Sequence, residues 1–350
     1  MAKRKLTLQQ QRRIKGQQDL SRAQADNEDA QITTAQTESG LGSEQSGIVA
    51  VRYADSADVV IEAGGAVRRC HFRANLDSLI AGDRVAWRDG ESWGVITAVQ
   101  PRKNHLDRPD NRGKLRPVAA NIDRIAIVLA PQPQPHANLI DRYLVASEAR
   151  GIASFLVLNK SDMGVTEDLT QLLTTYAQLG YPLLFVSAKT GAGMAQLAAS
   201  LQHKTGVLVG QSGVGKSSLI NALIPDAETQ TGPLSTKSAA TGSSQSEQGV
   251  VHRNAKGTHT TSSSQLFRLP GGGGLIDSPG IREFGLWHLD AGQVAAGFVE
   301  LRPLLGHCKF RDCQHRSEPG CALIAAVNDG TVSAQRLDSY HSIVAELSAH

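Results

Sequence analysis

The chain has 350 residues with a formal net charge of +3, 40% apolar, 20% charged and 4% aromatic side chains. At about 150 residues per domain, that is a globular protein of two or three domains with ample chain for a core. No apolar run approaches the ~18 residues of a membrane span, and the opening Lys3-Arg4-Lys5 followed by glutamines is no secretory leader, so neither a membrane partner nor export is expected, and the chain reads as cytoplasmic.

Residues 1–46 hold almost no large apolar side chains and are expected to be disordered. Their charge is segregated: the first 22 residues carry seven Lys/Arg against Asp19 alone, and residues 23–46 carry five acids and no base. Such a tail is either simply solvated or a basic arm that orders on a polyanion such as RNA. From Gly47 the pattern turns to short strands, at Ile48–Tyr53, Asp58–Glu62, Val67–Phe72, Asp83–Arg88 and Trp93–Val99, with turns at Gly64-Gly65 and Asp89-Gly90. Five strands in about 55 residues suit a small closed barrel of the OB type over residues 47–117, with an SH3-like barrel fitting nearly as well. Residues 102–116 then gather six basic side chains (Arg102, Lys103, Arg108, Arg112, Lys114, Arg116) against Asp107 and Asp110, reading as a solvated loop or a phosphate contact.

Over residues 118–290 the period alternates between buried strands and helices. Ile122–Ala130 is strand-like, Asn138 is placed to cap a helix carrying Ile140, Tyr143 and Leu144, and Gly151 ends it. The strand Ile152–Leu158 follows, then a helix from Thr166 to Gly180 with Leu169, Leu172, Leu173, Tyr176 and Leu179 on one face, and the strands Leu183–Val186 and Val207–Val209. This alternation predicts an α/β fold, a parallel sheet covered by helices on both faces.

Three motifs sit at strand ends. Gly210-Gln211-Ser212-Gly213-Val214-Gly215-Lys216-Ser217 satisfies G-x-x-x-x-G-K-[ST] between the strand Val207–Val209 and the helical run from Ser218. The glycines let backbone N–H groups wrap phosphate, Lys216 sets a positive charge against the β- and γ-phosphates, and Ser217 offers its hydroxyl to magnesium. Asn159-Lys160-Ser161-Asp162 closes the strand Ile152–Leu158, where parallel sheets bind ligands. A carboxylate at Asp162 accepts from guanine N1–H and the N2 amino group. Adenine has neither donor, a difference worth several powers of ten. Ser187-Ala188-Lys189 at the next strand end supports the base through backbone N–H groups, so guanine is the expected base. Asp277-Ser278-Pro279-Gly280 ends a strand at Gly274–Ile276; Asp277 would hold magnesium through water, and Gly280 would offer its N–H to the γ-phosphate. The base-reading motifs precede the phosphate loop, as if a GTPase domain had been cut and rejoined, which predicts a circularly permuted P-loop GTPase domain. The segment from Asp277 then leads straight into the C-terminal part of the chain.

Residues 227–264 are rich in Ser, Thr, Gln and Gly, a long stretch that is either disordered or functional. In residues 291–350, Cys308-x4-Cys313-x-His315-x5-Cys321 offers three thiolates and an imidazole, a closed structural zinc set with no position left for a catalytic water. Lys309, Arg311 and Arg316 interleave the ligands, which suits nucleic acid. Cys70 is distant and reads as an ordinary buried residue. Val332, Leu337, Tyr340, Ile343, Val344 and Leu347 close the chain as an apolar helical stripe.

A five-stranded barrel, a permuted GTPase domain and a zinc-binding α-helical module together resemble the small ribosomal subunit biogenesis GTPases, the RsgA or YjeQ family. The likeness covers residues 47–350 and includes Gly257-Thr258-His259-Thr260-Thr261, the run from Asp277 to His288, and Gly306 to Cys313. It implies a cytoplasmic, monomeric enzyme that binds the 30S subunit and its 16S rRNA late in maturation, hydrolyses GTP and leaves, with one structural Zn²⁺ and with Mg²⁺ accompanying GTP. Ile281 stands where many GTPases carry a water-orienting glutamine, so intrinsic hydrolysis is expected to be slow. His259 is the candidate to position water, and the resemblance points to the same residue; the alternative is that it packs or touches RNA. One of Thr260 and Thr261 would complete the magnesium shell. A GTP-dependent RNA-binding switch, in which occupancy rather than hydrolysis controls docking, is the competing reading.

Overall fold

The structure, a computed structural model, describes residues 41–62, 65–72, 76, 79–109, 114–224, 264–277, 286 and 289–348. Among the candidates above, His259, Thr260, Thr261, Gly280, Ile281 and Arg112 lie outside the described residues, as do residues 1–40.

Five strands form the barrel: β1 (Glu44–Arg52), β2 (Ser56–Ile61), β3 (Val67–Phe72), β4 (Arg84–Arg88) and β5 (Gly94–Val99). They pair in the order β1-β2-β3-β5-β4, and β4 returns to β1 to close the ring. β3 skips β4 to pair in parallel with β5. A meandering SH3-like barrel pairs sequence neighbours, so this crossover decides for the OB type. Alternate residues fill the interior, among them Val49, Val59, Cys70, Val85, Trp87 and Ile96. Cys70 is fully buried there, and desolvation pushes its thiol up to about 12. It is an inert packing residue, as expected.

The basic run after the barrel is not a plain loop. It is built into an antiparallel ribbon of β6 (His105–Pro109) and β7 (Leu115–Ala120). Leu106, Ala119 and Ala120 anchor the ribbon in the core, while the charged positions between them hide the two-residue period from the sequence. Arg102, at its foot, is held by buried Asp83 through Nε at 2.6 Å and a terminal nitrogen at 2.8 Å.

The α/β part follows as β8 (Arg124–Leu129), α1 (Ala137–Glu148), β9 (Ala153–Leu158), α2 (Glu167–Gln178), β10 (Leu183–Phe185), α3 (Met194–Leu201), β11 (Thr205–Val209), α4 (Lys216–Leu223), β12 (Gln265–Arg268) and β13 (Gly274–Asp277). The strands line up as β10-β9-β8-β11-β13-β12, parallel except for β12 against β13. Side chains alternate between two cores: Ile125, Ile127 and Leu129 of β8 enter one, and Ala126 and Val128 the other. The first core is covered by α1 and α2, the second by α3 and α4, because the chain reverses direction along the sheet between β10 and β11 and its crossovers keep one hand. Thr166 caps α2, its hydroxyl accepting from Leu169 N–H at 3.3 Å. Asn138 does not cap α1. The N-cap is His136, and Asn138 lies in the first turn, where its Oδ1 accepts from Arg142 at 3.2 Å. β12 also makes one antiparallel rung with barrel strand β1, Val51 opposite Gln265, which joins barrel and α/β sheet into a continuous run of strands.

The C-terminal part packs α5 (Ala291–Gly297), α6 (Ala322–Asn328) and α7 (Ala334–Ser348) onto the α1/α2 face. Asp290 and Gln293 form a reciprocal capping box at the start of α5. Val294, Phe298, Leu323, Leu337, Tyr340 and Ile343 share one core with α1 and α2. Within that core Arg336 is buried and ion-paired to Asp141 of α1 and to Glu300, the latter at 2.5 and 3.0 Å, while Tyr176 donates to Asp141 at 2.6 Å. The cluster ties α7 to α1, and removing one member would leave a buried charge uncompensated.

Candidate functional site

The chain reverses along the sheet between β8 and β11, and the phosphate-loop motif grows from the carboxyl end of β11 at that reversal, where open parallel sheets bind ligands. Two glycines there are required by close approach. A Cβ on Gly210 would lie 2.2 Å from the carbonyl oxygen of Val128 in the neighbouring strand. Gly215, at φ 92° ahead of α4, would place one 2.4 Å from Asn159 Nδ2. Buried Val214 pins the loop from below. Lys216 Nζ donates to the carbonyls of Gly210 and Gln211, both at 2.7 Å, so the ammonium is held over the loop's own backbone. Ser217 and Ser218 follow in the first turn of α4, exposed.

The Asn159–Asp162 motif lies beside this loop, at the end of β9. Asn159 is buried and works as a tie: its Nδ2 donates to Val214 O at 2.9 Å, and its Oδ1 accepts from Ala188 N–H at 3.2 Å. Lys160, in the left-handed region at φ 58°, donates from Nζ to Gly213 O at 2.6 Å. Both residues therefore brace the phosphate loop. Asp162 keeps an exposed carboxylate in the short 3-10 turn Ser161–Met163. Buried Ser187 donates to Asp162 Oδ1 at 2.6 Å, and that bond, with Lys189 nearby, holds the carboxyl below the usual carboxylate range. The serine of Ser187-Ala188-Lys189 thus aims the acid, and the N–H of Ala188 is engaged with Asn159. Asp277 ends β13, whose parallel neighbour is β11, so it stands beside the strand that launches the phosphate loop.

The second constellation is the Cys3His set. The ligand atoms of Cys308, Cys313, His315 and Cys321 all lie within 4.8 Å of one another. Cys308 Sγ and Cys321 Sγ are 3.9 Å apart, and each is 3.4 Å from His315 Nδ1. Donors around a tetrahedral ion bound by thiolates and imidazole stand about 3.5–3.8 Å apart, so the set fits such an ion. The connecting turn is organised by Glu318, which accepts from the N–H groups of Gln314, Arg316 and Ser317 at 2.8–3.0 Å and is held down to about 2 by those bonds. Ala322 N–H points at Cys308 Sγ at 3.4 Å, support suited to a thiolate. Glu318 carries no sequence signal, since any acid in a five-residue spacer looks solvated.

Among the described residues, no helix is long and apolar enough to cross a membrane. A family model described as RsgA GTPase matches residues 99–287. The chain is 51% identical to the small ribosomal subunit biogenesis GTPase RsgA of Azotobacter vinelandii, over 99% of this chain and 98% of that protein. It is 50% identical to the protein of the same name from Pseudomonas fluorescens (strain Pf-5), with the same coverage of each. Among solved structures it resembles YjeQ from Thermotoga maritima, with a TM-score of 0.69 and 29% identity over 88% of this chain and 100% of that one. It also resembles YloQ, described as a circularly permuted GTPase, with a TM-score of 0.67 and 26% identity over 88% and 96%.

Proposed function

The chain belongs to the RsgA GTPase family, and on that footing we propose that it docks on the 30S ribosomal subunit through 16S rRNA, hydrolyses GTP there and assists the subunit's late maturation. The observation that carries the nucleotide part is the convergence of the loop 210–217, the Ser187-braced Asp162 and Asp277 at one end of the parallel sheet. In this reading Asp162 selects guanine. The N–H groups of Gly213 to Ser218 and the ammonium of Lys216 receive the phosphates, and Gly280 reads the γ-phosphate. Ser217, one of Thr260 and Thr261, and Asp277 through water would hold Mg²⁺, which spreads the charge that develops on the transferred phosphoryl group. The fit rests on Ser217 opening α4 while Asp277 ends the strand next to β11. His259 positions the attacking water. We place the divisions of the chain at residues 1–46, 47–117, 118–290 and 291–350, and read it as a cytoplasmic monomer. GTP turnover assayed with 30S subunits, 50S subunits and whole ribosomes tests the proposal: strong stimulation by 30S particles alone is expected, and equal turnover in all arms overturns it.

The Cys3His set we assign to one structural Zn²⁺. Elemental analysis of protein prepared without chelators is expected to find one zinc per chain, absent from Cys313→Ser. The turn around Glu318 unfolds in that variant while GTP affinity stays within a few-fold, because none of the four ligands lies among the nucleotide-site residues. Metal-free purified protein that is fully folded would remove zinc from the account.

A further inference from the structure

One side chain organises the spacer between His315 and Cys321. Glu318 is half-buried; its Oε1 accepts from Gln314 N–H at 2.9 Å, and its Oε2 accepts from the N–H groups of Arg316 at 2.8 Å and Ser317 at 3.0 Å. Gln314 and Arg316 flank His315 in the chain, so one carboxylate fixes the backbone on both sides of that ligand. Between them His315 stands at φ 61°, in the left-handed region that residues with a Cβ rarely occupy. The backbone carbonyl of Glu318 serves the other end of the spacer, accepting from Cys321 N–H at 3.2 Å.

We propose that Glu318 is a positioning residue for the metal site: its carboxylate holds His315 ready to ligate before the ion is bound, and thereby sets how tightly the ion is kept. This rests on the assignment of the Cys3His set to zinc. Gln314, Arg316 and Ser317 are exposed, so water can satisfy their N–H groups, and the carboxylate is not there to rescue buried donors. What it adds is geometry. N–H groups converging round a turn form a concavity that suits an anion. A single carboxylate in it imposes one arrangement on peptide units that water would leave free to move, so less ordering remains for metal binding to bring about. The thiolates of Cys308 and Cys321 have other supports. Cys321 stands at the N-cap of α6, and Cys308 Sγ faces the N–H of Ala322 in the same helix at 3.4 Å. His315 meets Tyr340 of α7 at 6.1 Å between ring centroids, a contact that steadies the ring and leaves the backbone to Glu318.

The test is the zinc affinity of the full-length chain, measured by competition with a chromophoric chelator for the unmodified protein, Glu318→Ala, His315→Ala and the two substitutions combined. Glu318→Ala is expected to weaken zinc by about 10- to 100-fold. In the His315→Ala background the same substitution should cost less than about three-fold, because the ligand it acts through is gone. Glu318→Gln keeps an acceptor oxygen without the charge and should fall between Glu318→Ala and the unmodified chain; it carries the same comparison where Glu318→Ala fails to fold. With Co²⁺ in place of zinc, the visible bands of Glu318→Ala should move towards those of His315→Ala, reporting a weakened nitrogen ligand. GTP affinity should stay within a few-fold in every variant. Unchanged zinc affinity in Glu318→Ala overturns the proposal. An equal loss in both backgrounds also overturns it, since the carboxylate would then stabilise the turn without acting through His315. Failure of the zinc assignment itself looks different: the unmodified chain would take up no zinc at all, whereas failure of this proposal leaves that chain metal-bound and the Glu318 variants indistinguishable from it or non-selective for His315.

Discussion

Asp162→Asn is expected to weaken GDP and GTP binding by at least about 10³-fold and to transfer preference to xanthine nucleotides. The carboxylate in the native chain is aimed by Ser187 and is ionised, its pKa lying below the ordinary carboxylate range. Guanine presents two donors to it, and adenine presents none on that edge. An amide in its place offers one donor and one acceptor, which guanine's two donors cannot satisfy but the N1–H and O2 of xanthine can. Because the depressed pKa keeps the acid charged, the expected preference for guanine is fully present at neutral pH and is lost only as falling pH protonates the carboxylate, below the ordinary carboxylate range. Calorimetry with GDP, XDP and ADP reads all of this. Equal affinity of the unmodified chain for GTP and ATP would sink the guanine assignment.

The second large effect separates binding from turnover. Lys216→Ala removes an ammonium that sits over the phosphate loop, held by the carbonyls of Gly210 and Gln211, and so weakens interaction with the phosphates in ground and transition states alike. Its expected signature is a loss of GTP affinity on the order of 10²-fold or more. On the proposed reading, His259→Ala removes a group that acts on the attacking water and not on the bound ground state. GTP affinity should stay within a few-fold while 30S-stimulated turnover falls by on the order of 10²-fold, since Ile281 has no side-chain group to orient water. Stopped-flow binding with a fluorescent GTP analogue, paired with phosphate release on 30S subunits, distinguishes the two variants. Unmodified turnover by His259→Ala on the subunit would mean that backbone or ribosomal RNA positions the water.

The motifs of the proposed nucleotide site were readable because each is local: eight consecutive residues form the loop 210–217, and four form the turn 159–162. What those residues do to one another was not readable. Asn159 ties Val214 to Ala188 and Ser187 aims Asp162, through contacts spanning 55, 29 and 25 residues. The barrel strands were legible to within a few residues from alternation, but the choice between OB and SH3-like pairing depended on β3 meeting β5, which no local pattern encodes. The β6–β7 ribbon was hidden by its charges. The Arg336 cluster left a trace that composition obscures: Arg336 lies four residues before Tyr340 on the apolar stripe of α7, and Asp141 follows Ile140 on the buried face of α1. A charge on an apolar stripe is a signal of a buried partner, and here the partner is 195 residues away.

The place of β11 between β8 and β13 bears on how the chain is made. β8 is central in the sheet, yet the partner for one of its edges arrives late: Thr205, at the start of β11, bonds to Asp123 across 82 residues. At about 5–20 residues per second that interval lasts roughly 4 to 16 seconds. Throughout it β8 presents unpaired backbone on the side that will later carry the phosphate loop, while β9, made within that interval, becomes available on the other. With the base-reading half made first, the edge of β8 stays open until β11 has been made. Nucleotide cannot shorten that interval, because the loop that would bind phosphate is part of what is missing.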